Sequence, residues 1–428
     1  MGAKLISRTG FLTLLLLGGL LAVSCLEVIE YPDKPKPEEP QNPPVPPAEE
    51  EYSYTGESFS WIGTGFPTVV LDTPGAVAIT SKTVWTEGAS LTIYNPDGSV
   101  DCSGELSIKG RGNSSWTQFP KKSYSLKLET KSKVLGMPEH KRWCLLANWM
   151  DRTLIRNAVA FEISRRTGLA WTPSGRFVEL VLNGEHVGNY YLCEQIKMGK
   201  YRVNIPDGFL MECDLWYDEE FKFTTPLHNV PWQFKDPDVV TEDQVAYMKD
   251  YVDRFEVALY SDDKFAAKEW LDYIDPGSFA DWWMVNELCQ NSEINQPKSC
   301  FIYKALDGKL TAGPVWDFDW GTFMPKTRYN YVSMGPKFYV NRMFQDLGFR
   351  RLIKERWATY RDDLATIPEY IDELAATLTA SDKLNIAIWP ISRTTNGDVD
   401  LSYPEAVARL KQAYTEKFNW LDTNINNY

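Results

Sequence analysis

Histidine is the residue that this 428-residue sequence has least of, with only His140, His186 and His228. Its 7 cysteines include no Cys-X-X-Cys pair. Zinc sites are built from closely spaced cysteine and histidine ligands, so both shortages argue against a zinc centre. The chain also lacks an apolar run of about 20 residues, the length that a membrane-spanning helix needs. A transmembrane helix is therefore not expected.

Basic residues are outnumbered by acidic ones. The sequence has 45 lysines and arginines against 58 aspartates and glutamates, which gives a net charge of −13. Proteins that bind nucleic acids or anionic membrane surfaces do so largely through clustered positive charge. We therefore expect no nucleic-acid partner. The sequence contains no internal repeat, so a repeat architecture is not expected either.

The N-terminus has the pattern of a lipoprotein signal peptide. A short basic segment precedes the apolar stretch Phe11–Val23, whose length suits the hydrophobic region of a signal peptide. The residues Ala22-Val23-Ser24-Cys25 resemble a lipobox. Residues 1–24 are therefore predicted to be removed, and Cys25 is predicted to be acylated and to anchor the chain in a membrane. The alternative is ordinary signal-peptidase cleavage beside a chance cysteine.

Residues 25–55 are predicted to form a disordered tether. Eight prolines fall between Pro32 and Pro47, and such a segment favours extended polyproline II over a packed core. A proline-rich ligand for another protein is the alternative. Leu26 is not the aspartate that retains lipoproteins in an inner membrane, so an outer-membrane location is expected. Glu27 and Glu30 favour display on the cell surface.

The remaining chain predicts an α+β fold with a β-rich N-terminal lobe at 56–214 and a mainly helical lobe at 215–428. Alternating or apolar runs before turn residues predict strands at Thr68–Leu71, Ser90–Tyr94, Glu105–Lys109, Tyr124–Leu128, Phe177–Leu182 and His186–Ile196. A helix is predicted at Arg152–Thr167, with Asp151 as its N-cap. Later helices are predicted at Glu242–Leu259, Asp263–Leu271, Pro276–Leu288, Asn341–Asp363, Ile367–Leu378 and Tyr403–Asn424.

Six cysteines remain once Cys25 is set aside, and they are scattered along the chain. An even number outside the cytoplasm permits disulfides. Several of these cysteines lie within apolar strand-like runs, so buried free thiols are the alternative.

The first segment whose residues suggest ligand binding is Lys109–Trp116, with the sequence KGRGNSSW. It is followed by Lys121 and Lys122. Two glycines allow the backbone to approach a ligand closely. Together with Arg111 and the lysines, they suit a phosphate-binding cradle. The alternative is a hairpin turn whose basic side chains are in water.

Two further segments carry buried or clustered charge. Arg152 and Arg156 are four residues apart on one face of the predicted helix, so they either pair with carboxylates or bind an anion. Glu194 ends an apolar strand, and a buried glutamate needs a cation, for which Lys122 and Lys127 are the candidates. The alternative for Glu194 is a strand end exposed to water.

The sharpest signal is Trp316-Asp317-Phe318-Asp319-Trp320-Gly321, two carboxylates in an aromatic frame. Carboxylate oxygens suit Mg²⁺, and Asp-Trp-Gly has the form of the metal-binding Asp-Phe-Gly of protein kinases. Glu293 and Asn295 lie upstream, where a kinase-like catalytic loop is expected. We therefore expect Asp317 and Asp319 at the floor of a cleft between the lobes. The alternative is a turn with two capping aspartates.

Taken in order, the segments KGRGNSSW, PKKSYSLKL, LLANWMDRTLIRN, VELVLNGEHVGNYYLCEQI, GFLMECD and GPVWDFDWGTF resemble the spore coat protein H (CotH) kinase family. The resemblance covers roughly 66–425. It implies a two-lobed, atypical, secreted protein kinase that uses ATP and Mg²⁺ or Mn²⁺. The implied metal ligands are Asp317 and Asp319, and the implied catalytic residues are Glu293, Asn295 and Asp317. The cofactor-binding candidates are Arg111, Lys122, Glu194 and Arg156. The family typically has aspartate where this sequence has Glu293.

The resulting hypothesis is a membrane-anchored extracytoplasmic kinase that phosphorylates a surface or secreted protein. A non-catalytic glycan-binding or structural surface lipoprotein with a kinase-like fold is the alternative, since the sequence has 16 tryptophans and 14% aromatic residues. The scarcity of ATP outside the cytoplasm favours that alternative. A glycosidase using Asp317 and Glu293 is a third hypothesis.

Overall fold

The computed structural model describes residues 62–295, 297–324, 338–392 and 396–427. The predicted signal peptide, acylated Cys25 and proline-rich tether lie outside these residues. They therefore stay predictions.

Seven strands form a sheet that closes on itself. They are β1 (Thr68–Asp72), β2 (Thr86–Tyr94), β3 (Val100–Arg111), β4 (Ser123–Val134), β5 (Met137–Leu146), β6 (Gly175–Leu182) and β7 (Glu185–Glu194). Neighbours run antiparallel in the order β1-β2-β3-β4-β5-β7-β6, and a parallel pairing of β6 with β1 closes the sheet. Because strand side chains alternate between faces, one face supplies a continuous apolar core that includes Leu106, Ile108, Leu126 and Trp143.

Five further strands form a second, antiparallel sheet. They are β8 (Gly208–Cys213), β9 (Lys222–Thr224), β10 (Pro231–Asp236), β11 (Cys300–Ala305) and β12 (Thr311–Ala312). Their order is β12-β11-β8-β10-β9. Strand structure thus continues past Asp214, where the helical half was expected to begin. The central strand β8 pairs with β10 and with β11, and this pairing brings together segments that are far apart in the chain.

Helices dominate the rest of the described chain. They are α1 (Ser114–Gln118), α2 (Arg156–Arg165), α3 (Glu242–Tyr260), α4 (Asp262–Ala266), α5 (Pro276–Leu288), α6 (Val340–Met343), α7 (Leu347–Leu364), α8 (Ile367–Thr377), α9 (Thr379–Ile388) and α10 (Tyr403–Asn424). Capping boxes at Thr241 and Ser402 fix the starts of α3 and α10. The predicted α+β class is confirmed. No helix in the described ranges is long and apolar enough to cross a membrane.

Helix α2 begins at Arg156, four residues later than expected. Asp151 is not its N-cap residue, although its carboxylate accepts hydrogen bonds from the amides of Thr153 at 2.9 Å and Arg156 at 2.8 Å. These bonds hold residues 151–155 as a turn, so the first predicted helical turn does not form.

The six described cysteines are free thiols, and all but Cys102 are buried. Cys144 and Cys193 are direct register partners on β5 and β7, and Cys213 and Cys300 are direct partners on β8 and β11. Of the two alternatives that the sequence left open, the structure therefore shows the thiol form.

Candidate functional site

A single cleft of about 590 Å³ collects residues from distant parts of the sequence. Its volume is in the range typical of small-molecule sites. Arg111, Glu293, Asp317 and Asp319 all line it. The structure thus brings together the basic segment at the end of β3 and the acidic segments that follow α5 and β12.

The loop that carries the two aspartates is held firmly from outside. Asp317 has a left-handed backbone with φ of 67°, a conformation that aspartate tolerates better than most residues. The Phe318 amide donates to Asn157 Oδ1 at 2.8 Å, and Asn396 Nδ2 donates to the Asp319 carbonyl at 2.9 Å. A non-glycine residue kept in this region by its surroundings is a common feature of functional sites.

Asp317 and Asp319 are half-buried side by side and share a hydrogen bond. Burial, followed by the repulsion of Asp317, raises the pKa of Asp319 well above its ordinary value. Burial also raises the pKa of Asp317, although Arg111 opposes that rise. Two carboxylates this close repel each other when both are ionised, so the pair favours the uptake of a proton or a cation.

More carboxylates face the same cleft. Burial and then the charge of Asp317 raise the pKa of Glu293 to about 7. Burial and then Glu212 raise the pKa of Asp214 to about 6. Asp214 follows β8 directly and accepts hydrogen bonds from the amides of Trp216 at 2.7 Å and Ser299 at 3.1 Å. This end of the cleft therefore has negative charge in excess of the nearby cations.

Two basic side chains lie close to these carboxylates. The Arg111 guanidinium carbon lies 4.9 Å from the centre of the Trp316 ring, a cation–π contact next to Asp317. Lys298 forms an ion pair with Glu293 at 3.0 Å. Arg111 was predicted as a cofactor-binding residue, and its place beside the aspartate loop is compatible with that role.

The glycine-rich segment is arranged differently from a simple phosphate loop. A side chain at Gly110 would lie 2.3 Å from the Trp116 ring, so this glycine makes room for the tryptophan and not for a ligand. Gly112 has φ of 97° and turns the chain from β3 toward α1.

Lys122, predicted to hold phosphate, instead forms hydrogen bonds with backbone carbonyl groups. Its ammonium group donates to the carbonyl oxygens of Trp116, at 2.5 Å, and of Phe119. It does not line the cleft. These two carbonyl oxygens belong to the short segment before Lys122, and the ammonium group supplies the hydrogen bonds that they require.

Glu194 has a different partner from the ones expected. Its carboxylate accepts a hydrogen bond from the Ser174 amide at 2.9 Å and lies 3.8 Å from Arg202. Neither Lys122 nor Lys127 reaches it. Burial raises the pKa of Glu194, while the Ser174 amide and Arg202 oppose that rise.

Arg156, the last cofactor-binding candidate, lies in the protein interior. Its guanidinium contacts Asp151 and, at 2.7 Å, Asp398, and its side chain is 1% exposed. Arg152 pairs with Asp382 at 2.6 Å. The two arginines thus neutralise carboxylates, one of the two roles that the sequence left open for them. The backbone of Asn295 belongs to a 3-10 helix that begins at Glu293, and its side chain lies outside the described part.

Several cleft residues were not assigned a role in the sequence-based prediction, although some lie in the segments it singled out. They are Lys109, Asn157, Asp214 and Lys298. Lys109 has a recognisable signal, because it stands two residues before Arg111 on an alternating strand. Asp214 also has one, because it ends the apolar strand segment GFLMECD. Asn157 and Lys298 show no distinguishing pattern in the sequence.

The carboxylate cluster is not a preformed metal cage. No group of three or more histidine, cysteine, aspartate or glutamate side chains among the described residues is placed to hold a metal ion. The nearest approach to such a site is the hydrogen-bonded pair Asp317 and Asp319, which offers oxygen ligands only.

The profile of the CotH kinase protein family matches residues 108–426, about three quarters of the chain. The chain belongs to the CotH kinase family. The match begins at the strand that carries Arg111 and includes every carboxylate of the cleft, so membership supports a kinase-like function and suggests the use of ATP. No curated protein matches the sequence.

Proposed function

We propose that this CotH kinase family member transfers phosphoryl groups from ATP in a reaction that depends on Mg²⁺ or Mn²⁺. Its fold would be a two-lobed kinase-like fold in which the closed seven-stranded sheet forms the N-terminal lobe. The acceptor would be a surface or secreted protein. The observation that carries this proposal is the crowding of Asp317, Asp319 and Glu293 opposite Arg111 in one cleft.

The chemistry of the carboxylate pair fits a hard divalent cation. Mg²⁺ is commonly bound through one or two carboxylates, with phosphate oxygens of the substrate and water completing its shell. Asp317 and Asp319 would supply the carboxylates, so the lack of a third protein ligand is no obstacle. A bound cation would neutralise charge on the transferring phosphates, which is its main contribution to phosphoryl transfer.

The protein's own groups have separate roles in this proposal. Arg111 would bind a phosphate oxygen, since a guanidinium matches phosphate geometry. Glu293 would accept the proton of the acceptor hydroxyl or act as a second metal ligand, with Asn295 beside it. The ion pair with Lys298 would hold the Glu293 carboxylate in place.

Thermal unfolding in the presence of nucleotide tests the proposal. MgATP at 100 times its Kd should stabilise the wild-type protein by about 2.7 kcal/mol. Asp317→Asn and Asp319→Asn should lose this stabilisation and any phosphoryl transfer to a protein acceptor. Asp262→Asn is a matched control, because the Asp262 side chain is 96% exposed. Equal MgATP stabilisation in all four proteins would overturn the metal assignment.

The location is a separate part of the proposal. The lipobox-like segment and the proline-rich residues that follow Cys25 support a lipid-anchored protein held away from an outer membrane. Mass spectrometry of the protein purified from membranes should find an acylated Cys25 as the first residue. An unmodified N-terminus, or a protein found only in the soluble fraction, would contradict the anchor without bearing on the kinase.

Exposed tryptophans at the cleft favour one second candidate. Trp216 is 49% exposed and Trp320 is 36% exposed, and both line the cleft. Aromatic faces of this kind also bind sugar rings, which would suit a non-catalytic glycan-binding lipoprotein. Titration with an oligosaccharide panel separates the two functions. Sugar binding that survives Asp317→Asn, together with no response to MgATP, would favour the glycan binder.

A further inference from the structure

The basic side chains of the cleft fall into two groups. Most of them already contact acceptors of the protein itself. These contacts are Lys82 with Asp218, Arg142 and Lys197 with Asp238, Lys235 with Glu212, Lys298 with Glu293, and Lys121 with the carbonyls of Ala147 and Asn189. Within the described ranges, Lys109 and Arg111 make no such hydrogen bond or ion pair, although both line the cleft.

Lys109 and Arg111 belong to the same face of β3. They are two residues apart, and the alternate residues Ile108 and Gly110 lie on the opposite, buried face of the strand. The Lys109 ammonium lies 4.8 Å from the centre of the Trp85 ring, as Arg111 lies over Trp316. Each cation is thus positioned by an aromatic ring, and its N–H groups remain available to a ligand.

We propose that Lys109 and Arg111 form a two-cation clamp for the oligophosphate chain of the nucleotide, with a fixed direction along β3. Arg111 takes the phosphate next to the Asp317 pair, and Lys109 takes a phosphate farther along the chain. This assignment rests on the proposed function and replaces Lys122 with Lys109 as the phosphate-binding lysine.

The surroundings of Lys109 support the clamp. Burial lowers the pKa of Lys109, and Arg142, Lys235 and Arg111 lower it further, against the opposing effect of Glu219. A cation held partly out of water among other cations is costly unless an anion binds there. The carboxylates of Asp317 and Asp319 lie at the Arg111 end of the clamp, where Arg111 opposes the rise that burial causes in the pKa of Asp317.

The spacing of the clamp predicts a preference for phosphate chains. Residues two apart on a strand are about 7 Å apart along its axis. Lys109 packs against Trp85 and Arg111 against Trp316, so a chain of two or three phosphates can contact both cations more readily than a single orthophosphate can. We therefore expect tripolyphosphate to bind without metal, and orthophosphate to bind much more weakly.

Calorimetric titration with tripolyphosphate, orthophosphate and MgATP tests the clamp. Lys109→Gln should weaken tripolyphosphate binding about ten- to hundredfold, the usual cost of a lost charged hydrogen bond. Lys109→Arg should keep most of the affinity. Lys133→Gln is the matched control, because Lys133 is an exposed lysine on the neighbouring strand β4.

Acetylation of the wild-type protein provides a test that does not depend on how a variant folds. Tripolyphosphate should protect Lys109 from acetic anhydride and leave Lys133 reactive, as mapped by mass spectrometry. Unchanged affinity in Lys109→Gln, or no protection of Lys109, would overturn the clamp. Wild-type protein that binds MgATP but not tripolyphosphate would also overturn it and leave the proposed function intact. Binding of neither compound would overturn both.

Discussion

Two clusters of charged side chains, one in the interior and one in the cleft, contain the same residue types but differ in how their charges are paired. In the interior, Arg156 lies between Asp151 and Asp398, and these side chains are at most 1% exposed. In the cleft, Asp317 and Asp319 face each other, and Arg111 contacts Trp316 in place of a carboxylate. The members of the interior cluster pair with one another, whereas under the proposed function the cleft cluster receives its counter-ions from a bound cation and nucleotide. We therefore expect ion pairing within the protein, more than burial, to distinguish a charged group with a structural role from one with a functional role.

The largest expected effect comes from removing the cation of the interior cluster. Arg156→Met should lower the free energy of unfolding by about 3–5 kcal/mol, because it leaves Asp151 and Asp398 buried without their arginine. Urea unfolding measures this loss. Arg254→Met is the control, since its pair with Asp250 is exposed and should contribute under about 1 kcal/mol. Similar small losses in both variants would erase the distinction between the clusters.

The cleft cluster should respond in the opposite way. Asp319→Asn removes a negative charge that burial and the repulsion of Asp317 disfavour, as the raised pKa of Asp319 indicates. Without Mg²⁺ the variant should therefore keep its free energy of unfolding within about 1 kcal/mol of wild type. It should lose the stabilisation of about 2.7 kcal/mol that MgATP at 100 times Kd gives the wild type. A loss of several kcal/mol in the metal-free variant would place Asp319 among the structural charges.

Protonation of His140 would add a positive charge at a half-buried site that lies near other cations. Its Nδ1 accepts a hydrogen bond from the Arg142 amide at 2.9 Å, which requires that this nitrogen carry no proton. Burial, then Arg202 and Lys131, lower the pKa of His140 to about 4 from 6.5. The corresponding stability is present above pH 6.5 and is lost as the pH falls through 4.

At pH 5 this loss should be about 1 kcal/mol once solvent screening of the half-buried ring is allowed for. The measurement is the difference in unfolding free energy between wild type and His140→Gln from pH 7.5 to 4.5. The wild type should lose more stability on acidification than the variant does. Parallel pH profiles would show that the imidazole tolerates a proton beside these cations.

The smallest effect is expected at the mouth of the cleft. Lys82 pairs with Asp218 at 3.2 Å, with side chains 31% and 47% exposed. Lys82→Ala should change the unfolding free energy by no more than about 1 kcal/mol, because exposed pairs are screened by water and salt. Denaturant unfolding at low and high salt checks this. A larger loss would mean that the rim of the cleft is stabilised like the interior cluster.

Local patterns in the sequence predicted most elements well and their junctions less well. Helix α5 was predicted with its observed ends, since Asp275 and Pro276 mark its start and an apolar run fills it. Asp263–Leu271 was expected as one helix and is split into α4 and a short 3-10 helix. Strands β5, β8, β9, β10 and β12 and helices α1 and α9 were not predicted individually. Short elements depend on neighbours that local periodicity does not reveal.

The candidate site was predictable only in part, because its conspicuous residues show in the sequence and the partners of its other residues do not. Asp317, Asp319 and Arg111 are conspicuous because charge in an aromatic or glycine-rich frame is unusual. Lys122 and Arg156 were predicted as cofactor-binding residues, and neither lines the cleft, because sequence spacing cannot tell which cations face it. Lys122 donates to backbone oxygens, and Arg156 pairs with buried carboxylates. Only the fold brings these partners near.

The arrangement of strands also bears on how copies of this protein behave when crowded. The seven-stranded sheet is closed by β1 and β6, so its strands have partners on both sides. The second sheet ends at β9, of 3 residues, and at β12, of 2 residues. Short edges provide few free amides and carbonyls for a foreign strand to join. We therefore expect little tendency for the described part of the chain to aggregate through its sheet edges.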